Sequence, residues 1–231
     1  MRDKRLRTSI LFQSDTTAIA VDSGPDFRQQ MLRANIQHLD AILMTHEHND
    51  HIIGLDDVRP FNFMNRTDMP VYATARVSTA LQERFAYIFA AQRYPGAPMV
   101  KLEEIHAQQS LQIGDFTIQP IEVLHGRLPV LGYRVGDFAY ITDMKTISDA
   151  EFEKLQGVAT LVVNALHHSM HHSHLNLEEA LAFVERLQPK QAYLTHISHR
   201  MGLHAMVQPK LPPNVQLAYD GLEIFVNDKI N

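Results

Sequence analysis

The chain has 231 residues and a mass of 26.3 kDa, with 45% hydrophobic residues, 20% charged residues and a net charge of −5. That length and balance specify a folded domain with a sizeable core and no general attraction to nucleic acid or anionic membranes. The lack of cysteine excludes disulfides and zinc–thiolate sites. No apolar run reaches the ~20 residues that cross a bilayer, and no signal-peptide pattern opens the chain, so a cytoplasmic location is expected.

Taken in order, Arg2, Lys4, Arg5 and Arg7 read as a solvated entry to the first strand. Residues 8–13 and 17–22 form two strands across the turn Ser14-Asp15-Thr16. Pro25 suits the first turn of a helix over residues 26–34. A buried strand over 40–44 delivers Thr45-His46-Glu47-His48-Asn49-Asp50-His51 at its carboxyl end, where α/β proteins build sites. Residues 52–65 continue partly helical, 70–73 is a strand, 77–88 has helical apolar spacing, and 94–98 is a loop able to overhang a site. Strands are expected at about 100–105, 110–113, 116–123, 131–136 and 138–142. A short helix starts at Ser148, a buried strand covers 159–164, and Asn176 with Glu179 makes a capping box for a helix to about Leu187. Strands over 191–195, 215–218 and 223–226 complete the chain. The expected fold is α/β, a single domain over residues 1–231 with two sheets and helices outside them.

Of the fourteen histidines, seven lie between His167 and His199. Three imidazoles and a carboxylate within His46 to His51 would crowd polar groups without a partner of opposite charge unless a cation sits among them. His46 and His48 can serve one ion while Asp50 and His51 turn to a second. His125 ends a strand and completes the first set. Asp143 ends another and can bridge both ions, and His196 completes the second set, with His199 as its competitor. Five imidazoles and two carboxylates without sulfur suit zinc, manganese or iron. Two divalent ions offset by Asp50, Asp143 and a hydroxide leave about one positive charge, which suits a phosphodiester. Such ions lower the pKa of bound water toward ~7 and polarise a phosphoryl oxygen.

The HxHxDH pattern resembles the signature of the metallo-β-lactamase superfamily, whose four-layer αβ/βα sandwich is then the expected architecture. His174-Leu175-Asn176-Leu177-Glu178-Glu179-Ala180 resembles a motif of the tRNA 3′-end-processing endonucleases and their phosphodiesterase relatives. That resemblance implies that His174, 22 positions before His196, is a non-ligand general acid on the leaving oxygen. More of the chain resembles the phosphoribosyl 1,2-cyclic phosphate phosphodiesterases: Arg5 to Ser9, Asp22 to Arg28, His46 to Arg59, Leu194 to His199 and Leu217 to Gly221. Two departures stand out. That family begins with a glycine-rich strand and a cysteine-containing loop, so the first sheet is expected to lack its outermost strand. The acidic residue that supports the catalytic histidine is replaced by Asn164, an amide able to orient an imidazole.

The reading that follows is a phosphodiesterase using two divalent ions (Zn2+ or Mn2+), with Asp50 and His174 in the catalytic set. Its partner is a small cyclic or nucleotide-like phosphodiester, with no membrane and no nucleic acid; a homodimer is the assembly entertained. Arg127, Arg28 and His199 are the substrate-contact candidates, and His171, His172 and His204 either line the cleft or face solvent. An RNA-processing nuclease is the alternative, although the acidic chain carries no long basic insertion. A thioester or lactone hydrolase fits His174 less well, a β-lactamase lacks a counterpart of Asp143, and a non-catalytic metal store would bind metal without turnover.

Overall fold

The computed structural model describes residues 2–226, which fall into two compact units: residues 7–116, and residues 2–6 with 117–226. In the first unit, β1 (Ile10–Gln13) and β2 (Ala18–Val21) form an antiparallel hairpin with Ile10 opposite Val21. Asp115 ties its turn by accepting from the hydroxyls of Ser14 and Thr16. Then follow α1 (Phe27–Arg33), β3 (Ala41–Leu43), α2 (Asn49–Ile52), α3 (Arg59–Asn65), β4 (Met69–Ala73), α4 (Ala75–Arg84), α5 (Ala86–Phe89), β5 (Val100–Glu104) and β6 (Leu111–Ile113). The sheet order is β1-β2-β3-β4-β5, parallel from β2 onward.

Parallel strands are covered on both faces, so they read as unbroken apolar runs. β2 and β3 obey this, with every residue buried. Phe27 and Met31 of α1 and Val77 and Leu81 of α4 share one core cluster with Ala18, Ala20, Ile42 and Val71. The helical spacing over 77–88 is realised as two helices, α4 capped by the Thr74 hydroxyl and then α5, because Phe85 leaves helical geometry at φ −116°, ψ 42°.

The second unit holds β7 (Phe116–His125), β8 (Leu128–Val135), β9 (Phe138–Ile141), α6 (Asp149–Glu153), β10 (Thr160–Asn164), α7 (Leu177–Leu187), β11 (Gln191–Thr195), α8 (His204–Val207) and β12 (Val215–Leu217). Its strands run in the order β12-β11-β10-β9-β8-β7. β7, β8 and β9 form an antiparallel meander, and β9 to β12 are parallel. Ala180, Phe183, Val184 and Leu187 of α7 pack in one core with Ile141, Leu161, Val163 and Leu194. The capping box is present: Asn176 Oδ1 accepts from Glu179 N at 2.8 Å, and Glu179 Oε2 from Asn176 N at 2.9 Å.

Each unit is thus one sheet with its own helices and core, which bears out the α/β class. One expected element is absent: residues 223–226 form no strand, since the last ladder ends at Leu217. No helix among the described residues is long and apolar enough to cross a membrane.

Candidate metal centre

In the first unit one carboxylate orients two of the donors. Asp22, fully buried, accepts from Thr45 N and Thr45 Oγ1 at 2.8 Å each and from His51 Nδ1 at 2.7 Å. Burial raises its pKa, opposed by the His51 contact and by the Thr45 bonds. The Thr45 hydroxyl spends its proton on Asp22, so it accepts from His46 Nδ1, 3.0 Å away. Both His46 and His51 are therefore assigned the tautomer whose Nε2 is the acceptor nitrogen. His46 Nε2 lies 2.9 Å from His48 Nδ1, and His51 Nε2 lies 3.8 Å from Asp50 Oδ2. Imidazoles fixed through one nitrogen with the other presented outward are what a divalent cation requires of its ligands.

Tight backbone packing holds this loop. Ser23 N donates to the His51 carbonyl and Gly54 N to the Ser23 carbonyl, both at 2.8 Å. A Cβ on Gly24 would lie 2.3 Å from the Asp50 carbonyl oxygen, so only glycine permits the approach.

In the second unit His125, at the end of β7, donates Nδ1–H to the Ser173 carbonyl at 2.8 Å, which makes its Nε2 the acceptor nitrogen. Thr142 Oγ1 donates to Asp143 Oδ2 at 2.6 Å; the other oxygen lies 3.3 Å from His196 Nε2 and 3.6 Å from His174 Nδ1. His125, Asp143 and His174 each offer a ligand atom within 4.8 Å of one another. Asp22, Asp143 and His196 all sit at positive φ, 65°, 56° and 52°. Each follows a strand end, and the left-handed residue turns its side chain out of the sheet. Such backbone costs about 1–3 kcal/mol and collects at functional sites.

His174 is buried, and its Nδ1 has no hydrogen-bond partner. Burial pushes its pKa down to about 3, outweighing the nearby Asp143 carboxylate; His196, His125 and His171 lower it further. The imidazole is thus neutral in the protein alone, not the resting imidazolium that an acid role suggests. Nitrogen and oxygen donors held in place through their other atoms, with no sulfur among them, fit a divalent cation.

The remaining candidates divide clearly. His196, not His199, reaches Asp143; His199 is exposed at the start of a 3-10 turn. Arg28 is exposed on α1 and Arg127 in the tight turn between β7 and β8. His204 neither lines a cleft nor faces solvent: it is buried beside Arg2 and Arg5, each 3.3 Å from a ring nitrogen. Arg5 is accordingly no solvated side chain, since it donates to the Ala218 carbonyl at 3.1 Å. Asn164 does not bond an imidazole directly as expected; its amide is spent on the backbone of Met144. Sequence reasoning missed Asp22 as the partner of His51, although a strand-ending acid before Ser23-Gly24-Pro25 was a usable signal.

These features define the class. The family described as "Beta-lactamase superfamily domain" matches residues 17–197, and the chain belongs to that superfamily, with its metallo-β-lactamase fold. Within it, a solved structure described as a new diphosphatase from the PhnP family is 38% identical, covers 96% of this chain and 84% of its own, and superposes with a TM-score of 0.88. An octanoyltransferase of Porphyromonas gingivalis is 41% identical over 229 residues, 98% of this chain but 46% of that protein. The exodeoxyribonuclease YycJ of Bacillus anthracis is 26% identical over 165 residues, 67% of this chain and 56% of that one. The chain thus spans about half the length of these curated relatives, and more than half of the octanoyltransferase lies outside the match. The domain is that of a metal-dependent hydrolase.

Proposed function

We propose that the chain hydrolyses a small cyclic or nucleotide-like phosphodiester with two divalent ions, Zn2+ or Mn2+. In this reading His46, His48 and His125 serve one ion, Asp50, His51 and His196 the other, and Asp143 both. The observation that supports it is the locking of His46, His51 and His125 by hydrogen bonds at Nδ1. Bound ions there would lower the pKa of a coordinated water to about 7 and polarise a phosphoryl oxygen. The chain's own residues do the rest. Asp22 and Thr45 keep two lone pairs outward, Ser173 keeps a third, and Thr142 orients Asp143. His174 would supply the proton to the leaving oxygen; a bound anion favours its charged form.

A second reading is hydrolysis of a diphosphate linkage, favoured by the description of the PhnP-family relative. One panel separates the readings: bis-p-nitrophenyl phosphate, a 2′,3′-cyclic nucleotide, a diester of pyrophosphate, a lactone and a thioester, each with Mn2+ or Zn2+ added. The proposal expects turnover of the first two. Turnover of the pyrophosphate diester alone selects the second reading, and cleavage confined to the lactone or thioester rejects both.

A further inference from the structure

Asn164 is fully buried at the end of β10, one residue past Val163, the last to pair with β9, opposite Ile141. Its side chain continues where that ladder stops. Oδ1 accepts from Met144 N at 2.7 Å and Nδ2 donates to Met144 O at 3.0 Å. The same carbonyl accepts from Leu175 N at 2.9 Å. One residue's peptide groups thus meet the turn of Asp143 on one side, the His174 loop through Leu175 on another, and the Asn164 amide on a third.

We propose that Asn164 is a positioning residue that holds Asp143 and His174 in register with each other by clamping both backbone polar groups of Met144. The left-handed Asp143 is costly to maintain, and two buried hydrogen bonds to the next residue oppose its relaxation. The clamp requires one acceptor and one donor on a short side chain. An aspartate would set an acceptor against the Met144 carbonyl, and an alanine would leave a buried N–H without its partner. The proposal rests on the two-ion reading only in taking Asp143 as a metal ligand.

The test compares Asn164→Asp and Asn164→Ala with Leu161→Ala, a substitution in the core of the same unit that leaves the clamp alone. Zinc affinity is measured for each by competition with a chromophoric chelator, beside the melting temperature. The expected result is a 10–100-fold loss of zinc affinity in both Asn164 variants, the range for groups that orient ligands, with Leu161→Ala melting lower but binding zinc as the parent does. If Asn164→Asp does not fold, Asn164→Ala carries the comparison. Parent-like zinc affinity in the folded Asn164 variants, or an equal loss in Leu161→Ala, overturns the proposal. Zinc affinity is read without substrate, so a parent protein that binds zinc but ignores phosphodiesters would sink the functional reading and leave this one standing.

Discussion

Asp22 touches one expected ligand, His51, directly and a second, His46, only through Thr45, and it decides the tautomers of both imidazoles. Replacing it by asparagine would aim an amide N–H at the His51 N–H or leave that N–H weakly bonded, and the ring would lose its fixed orientation. Asp22→Asn is expected to weaken divalent-metal affinity 10–100-fold, read by metal titration; an unchanged affinity would remove Asp22 from the site. Removing a ligand should act more severely. Asp143→Ala or His125→Ala is expected to lower bound metal per chain and melting temperature together, since metal binding is linked to folding. His174→Ala should keep both metals and slow turnover by roughly 10²–10⁴-fold on esters with poor leaving groups, but much less on p-nitrophenyl esters. Equal effects on both ester types would take the acid role from His174.

Among the elements, strand ends hold the proposed ligands, and that placement is legible in the chain. β3 delivers His46, β7 delivers His125, β9 delivers Asp143 and β11 delivers His196, because short apolar runs bounded by polar residues mark buried strands and their exits. The helix over 177–187 was equally legible from its capping box. What could not be read were contacts made by tertiary proximity. The family resemblance makes Asn164 an imidazole's partner, in place of the acidic residue that family carries, and only the pairing of β9 with β10 shows that it meets Met144. The expected strand at 223–226 failed because alternation alone does not supply a neighbouring strand to pair with. Loss of the cap tests how much α7 depends on its first turn. Asn176→Ala is expected to cost about 1 kcal/mol, a fall in melting temperature of roughly 2–4 °C for a chain of this size. No change in a thermal scan would mean the helix is held by its packing alone.

Across the whole molecule, each unit has its own apolar core, and each carries donors whose geometry is set within that unit. The metal is expected to stabilise the fold by mass action, about 2.7 kcal/mol when free metal is one hundred times its dissociation constant. If catalysis is worked by a pair of ions, as proposed, one titration shows it. Metal-free protein is loaded stepwise with Mn2+ or Zn2+, and bis-p-nitrophenyl phosphate turnover is plotted against metal bound per chain. The account predicts hydrolysis that rises to a plateau at two bound ions. A plateau reached at one ion, or no hydrolysis at any loading, would contradict it.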